Sequence, residues 1–162
     1  MADSASRSRV SAGILLFRHA DNGVEVLLGH PGGPYFKGKD AGAWSIPKGQ
    51  AEDGEELLDV AKREFGEETG HVVGSSARTI ELGSIKQRGG KTVHAWAVEG
   101  DLDPAEAWSN TFSMEWPPRS GIFIEVAELD RVAWFAPDAA RVAMNGAQVQ
   151  LVDLLLEALA DP

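Results

Sequence analysis

A chain of 162 residues fits one domain and can bury roughly two thirds of the surface its unfolded form exposes. With no cysteine, disulfides and thiolate metal sites are excluded, and no apolar run approaches the ~20 residues of a membrane span. A formal net charge of −10 argues against binding long nucleic acids, which takes a basic surface; a small phosphorylated substrate stays open, because a bound metal and a few lysines can hold phosphate.

Taken in chain order, residues 1–7 are polar and expected to be disordered, and 8–162 read as a single domain. MADSASRSR has no apolar core of a secretory signal, which gives the expectation of a cytoplasmic protein. Residues 8–18 turn apolar and β-branched, as a first strand does. Asp21-Asn22-Gly23 is a turn signal, and 24–28 alternates as the second strand of a hairpin. Residues 29–42, with five glycines and two prolines, read as a long loop. Its Tyr35 and Lys39 could fold over a nucleotide, or be ordinary surface. Residues 44–46 form a short strand ended by Pro47.

The helix that follows is expected to begin at Glu55, with Asp53 and Gly54 as caps, and to end at Gly70. Leu57, Leu58, Ala61 and Phe65 make its apolar stripe. Glu64, Glu67 and Glu68 stand at i, i+3 and i+4, on one helix face. Three carboxylates so placed repel one another unless something neutralises them, and hard divalent cations take such oxygen ligands. A solvated acidic face is the plain alternative.

Residues 79–88 and 91–99 read as two strands around Gly89-Gly90, with His94 on one face in a structural role. Residues 100–121 form a second long irregular segment, in which Trp116 is either a loop anchor or a platform for a base. Residues 122–126 and 131–135 have strand composition. Pro137 starts a short helix, and 147–160 form an amphipathic helix with Val149, Val152, Leu155, Leu156 and Leu159 inward. That stripe is core or a homodimer contact; the sequence leaves the oligomeric state open.

The acidic helix sits in a longer pattern. Gly49 is followed by five residues, Glu55, seven residues, and then Arg63-Glu64-Phe65-Gly66-Glu67-Glu68-Thr69-Gly70. This resembles the box of the Nudix family, G-x5-E-x7-R-E-U-x-E-E-x-G-U, with U a bulky apolar residue. Eight of the nine defined positions match; His71 stands where the last aliphatic residue is usual. The resemblance implies an α/β fold, an α/β/α sandwich with a mixed sheet. It implies Mg²⁺ or Mn²⁺ held by Glu64, Glu67 and Glu68 with the Gly49 carbonyl, and Arg63 orienting a carboxylate such as Glu55. It also implies hydrolysis of a phosphoanhydride bond. The general base would be a box glutamate, Glu128 or Glu125. Trp44-x-x-Pro47-Lys48-Gly49 resembles the lead-in of enzymes acting on dinucleoside polyphosphates, diphosphoinositol phosphates or oxidised nucleoside triphosphates, with Lys48 and Trp44 as substrate contacts. HPGGPYF, WSIPKG and SNTFSMEWPPRSG resemble a bacterial subgroup of NTP pyrophosphohydrolases. The alternative from another class is a catalytically silent, Nudix-like nucleotide-binding domain; it would be expected to lack a metal glutamate, and all three are present.

Overall fold

A computed structural model describes residues 10–161. The disorder expected for residues 1–7 falls outside the described residues.

The first strand, β1 (Val10–Ala20), is an almost unbroken apolar run because the sheet it centres is covered on both faces. Ala12, Ile14 and Leu16 point to one face and Leu15 and Phe17 to the other. It turns at Asp21-Asn22 into β2 (Gly23–Pro31), which pairs antiparallel with Phe17–Ala20. Its other edge carries β5 (Lys91–Glu99) in parallel register from Val10↔Thr92 to Phe17↔Glu99. β4 (Thr79–Gln87) flanks β5 antiparallel, and β8 (Leu129–Phe135) flanks β2. The order is β4-β5-β1-β2-β8, a mixed sheet.

β2 leaves β1 after Val26, and the chain from Trp44 to Gln50 fills the gap. The short strand expected at 44–46 is reduced to isolated bridges, Gly29↔Ser45 and Trp44↔Met144. The paired strand lies further on: β3 (Lys48–Gln50) joins Ser11–Gly13 of β1. Lys-Gly-Gln carries no strand signal of its own, so this pairing is imposed by tertiary structure.

Helix α1 (Leu57–Thr69) covers one face with Val60, Ala61 and Phe65. Its start differs from expectation. Glu55 lies outside the helix, and the N-cap is Glu56, which makes no side-chain cap bond. Its end is as expected: Gly70, at φ 76°, donates its N–H to the Gly66 carbonyl. His71 packs its ring edge-on against Phe65, serving as the apolar lid that the motif fills with an aliphatic side chain.

Helices α2 (Pro137–Ala143) and α3 (Gln150–Ala160) cover the opposite face. A 3₁₀ turn at Gly146–Gln148 delays the last helix by three residues relative to the expected start at 147. The inward stripe is correspondingly shifted: Leu151, Val152 and Leu155 are fully buried, while Val149, Leu156 and Leu159 are only partly so. The stripe is thus core of this chain.

The segment 100–121 is not structureless. After a 3₁₀ turn at Pro104–Glu106 it forms β6 (Thr111–Glu115), which pairs with β7 (Phe123–Ala127) from Thr111↔Ala127 to Glu115↔Phe123. This two-stranded arm is a separate sheet, and only Glu128 parts β7 from β8. Among the described residues no helix is long and apolar enough to cross a membrane.

Candidate active site

Carboxylates gather where α1 lies on β3. Glu64 rests directly on the strand: a Cβ on Gly49 would overlap its carboxylate, so only glycine lets the two approach. One turn on, Glu68 is buried, and the Lys48 backbone N–H bonds its carboxylate. Burial pushes its pKa up from 4.5 to about 8, helped by repulsion from Glu128 and Glu64 and opposed by the Lys48 ammonium. Glu64 is raised as well, by burial and then by Glu67. Glu128 is raised by burial, against the pull of Lys48. Lys48 itself is lowered by burial, although Glu68 opposes this. The site therefore concentrates more negative charge than its one buried ammonium neutralises.

Arg63 stands at the exposed end of the cluster. It bonds Glu55, which also accepts the Glu52 N–H at 2.8 Å, and lies 3.6 Å from Glu64 and 3.9 Å from Glu67. Glu55 is thereby the pin between the turn before α1 and the helix itself.

Glu128 reaches the cluster through a clamp that the sequence did not announce. Asn110 donates its N–H to the Glu67 carbonyl at 2.8 Å, and its own carbonyl accepts the Glu128 N–H at 3.0 Å. The Ser109 hydroxyl donates to the Asn110 carbonyl at 2.8 Å and accepts the Leu129 N–H at 3.0 Å. The two ends of the β6–β7 arm are thus tied to each other and to the last turn of α1. The Asn110 Oδ1 is buried and has no partner. Ser-Asn before a strand suggests a turn, but no local pattern indicates that it holds a residue eighteen positions away.

The remaining candidates separate. Glu125 sits on the arm, bonded by the Thr111 hydroxyl at 2.8 Å, and is not brought to the cluster. Trp44 is not brought there either. It is 4% exposed in the core on the α2–α3 side, donates its indole N–H to Asp40 at 2.6 Å, and packs against His30 and Phe135. Lys39 is exposed and engages its carbonyl with His30 Nε2. Tyr35 is half exposed, with its ring edge against Trp116 at 5.0 Å, so Trp116 anchors the glycine-rich loop to the arm. His94 stacks on Trp96 and meets Glu81 at 2.7 Å, the structural role expected of it.

As they stand, no three His, Asp or Glu side chains among the described residues are arranged to hold a single ion. The donor chemistry nevertheless fits a hard divalent cation: Glu64, Glu68 and Glu128 bring carboxylate oxygens together around Lys48, and the Gly49 cradle leaves no side chain between the strand and Glu64. A cation there would lower the pKa values that burial and mutual repulsion raise.

Comparison with known proteins adds independent findings. The NUDIX domain family model matches residues 7–155. A Caenorhabditis elegans protein that carries the name nudix hydrolase 6 is 26% identical over 123 residues, 73% of this chain; the chain spans 45% of that relative's length. The fold is similar to an Ap4A hydrolase of C. elegans in a binary complex, with TM-score 0.65, 19% identity, and coverage of 93% of this chain and 98% of that one. It is also similar to the NUDIX domain of Shewanella oneidensis NrtR in complex with ADP ribose, with TM-score 0.59, 19% identity, and coverage of 93% and 87%. At these identities the structural likenesses establish the shared fold.

Proposed function

The chain belongs to the Nudix family, and from that premise we propose that it is a divalent-metal-dependent pyrophosphohydrolase of nucleoside polyphosphates. The observation that carries this reading is the carboxylate pair of part-buried Glu64 on Gly49 and buried Glu68 beside Lys48, with Glu128 facing them. A fold selected for stability alone would not crowd three acids of raised pKa around one lysine.

In this reading Glu64, Glu67 and Glu68, with the Gly49 carbonyl, hold Mg²⁺ or Mn²⁺. When bound, the metal lowers the pKa of water and neutralises charge on phosphoanhydride oxygens. Lys48 contributes the positive charge that meets a substrate phosphate. Glu128 is the general base; its place beside Lys48 and Glu67 supports it, whereas Glu125 is held on the arm. Arg63, braced by Glu55, holds Glu64 in place by a charge-assisted contact and lies within ion-pair distance of the exposed Glu67. The scissile bond lies in a nucleoside triphosphate, an oxidised deoxynucleoside triphosphate or a dinucleoside polyphosphate. The polyphosphate class draws support from the likeness to the Ap4A hydrolase.

The test is a phosphate- and pyrophosphate-release screen with Mg²⁺ or Mn²⁺, before and after EDTA. Its panel holds nucleoside triphosphates, oxidised dGTP, diadenosine polyphosphates, ADP-ribose and diphosphoinositol phosphates. Metal-dependent turnover of one nucleotide class is the expected outcome. Nucleotide binding without turnover would establish the silent domain instead.

A further inference from the structure

Trp108 is two-thirds exposed, at 66% of its full surface, yet its position is fixed. Its backbone N–H donates to the Thr69 carbonyl at 3.0 Å, and Asn110 holds the next turn at Glu67. Its indole lies against Gly70, where any Cβ would overlap the ring. The ring is therefore held by the end of α1 rather than by burial. A tryptophan buries a large apolar area when it serves the core, and leaving it in water is unfavourable unless a partner covers it.

Trp108 borders a cavity of about 350 Å³ whose lining also includes Glu68. Ser109, Leu129 and Val132 are among its other lining residues. An aromatic wall at one end and a carboxylate at the other make a ligand site rather than a packing defect, at the lower end of the usual size range. The side chains of Asp130 and Arg131 turn to the other face of the sheet, Asp130 to His30 Nδ1 at 2.9 Å and Arg131 over the Trp44 ring at 5.1 Å, and leave Trp108 as the aromatic group of the cavity.

We propose that the indole of Trp108 is the platform on which the heteroaromatic base of the substrate stacks, with the polyphosphate running from there to Glu68. This rests on the nucleoside polyphosphate reading and adds a base site to it. Stacking is sequence-tolerant because every base has a π-face, so the platform supplies affinity for a base without choosing among bases.

Steady-state kinetics of Trp108→Ala and Trp108→Phe with the best nucleotide of the screen test this. The expected result is a KM raised about tenfold or more in Trp108→Ala, with kcat changed far less and Trp108→Phe near wild type. An unchanged KM in Trp108→Ala overturns the platform while leaving the hydrolase reading intact. Quenching of tryptophan fluorescence by a nucleoside monophosphate, compared between wild type and Trp108→Phe, needs neither turnover nor a well-folded alanine variant. Loss of quenching in Trp108→Phe supports the platform even if the screen finds no turnover, in which case hydrolysis alone falls. Equal quenching in both proteins overturns the platform.

Discussion

The two faces of the central sheet each bury a polar cluster, and the two clusters are built on opposite terms. On the α2–α3 face, Gln148 is fully buried and fully bonded: its Oε1 accepts the Ile46 N–H at 2.9 Å, and its Nε2 donates to the Ser45 hydroxyl at 3.0 Å and to Gln87 Oε1 at 3.2 Å. All its members are neutral, and it ties the segment before β3 to β4 and the start of α3. On the α1 face, Glu68, Glu64, Glu128 and Lys48 are ionisable, mutually perturbed and unbalanced. A satisfied neutral network specifies a structure; a crowded ionisable one costs stability and is kept for chemistry.

The comparison breaks most readily at Glu68. Glu68→Gln should lower kcat by roughly two orders of magnitude or more while leaving metal-free stability at pH 8 no lower than wild type, since the amide imitates the protonated acid. Paired assays of turnover and thermal unfolding check both halves; a well-folded variant with wild-type turnover would remove Glu68 from the site. Gln148→Ala should do the reverse. It leaves the Ile46 N–H buried without a partner and should cost roughly 2–4 kcal/mol in urea unfolding, with turnover per folded molecule unchanged.

The smallest effect is in the pH dependence of the metal-free protein. Between about 4.5 and 8 native Glu68 keeps a proton that the unfolded chain has released, so stability falls as pH rises through that window. Glu64 and Glu128, also raised, act in the same direction. Lys48 acts oppositely, between its lowered pKa and 10.5. The metal-free Tm should therefore be higher at pH 5 than at pH 8, and Mg²⁺ should raise it more at pH 8. A Tm rising from pH 5 to pH 8 without metal would contradict the crowding of carboxylates described for this face.

Much of this division was legible in the sequence, because the box is local. Glu64, Glu67 and Glu68 share a helix face by spacing alone, and Gly49 and Glu55 sit at fixed distances before them. What was not legible depends on register and contact. Trp44 looked like a substrate contact because it precedes Pro47-Lys48-Gly49. Its bond to Asp40 and its place beneath α2 come from how the glycine-rich loop folds back, which no nearby residue encodes. β6 was hidden because five residues flanked by prolines and polar side chains resemble a loop until β7 is laid beside them. Leu151 was missed because the 3₁₀ turn at Gly146–Gln148 moves the phase of the last helix.

The bond between Asn110 and Glu128 has a consequence for how this chain can diverge. Seventeen residues leave the domain at Thr111 and return at Ala127, and the two points of departure and return are stapled together. An excursion closed at its base behaves as an interchangeable cassette. Its length and aromatic tip can be rewritten by mutation or recombination without shifting Glu128 by a residue, so new specificities can be tried on a reaction centre that stays fixed.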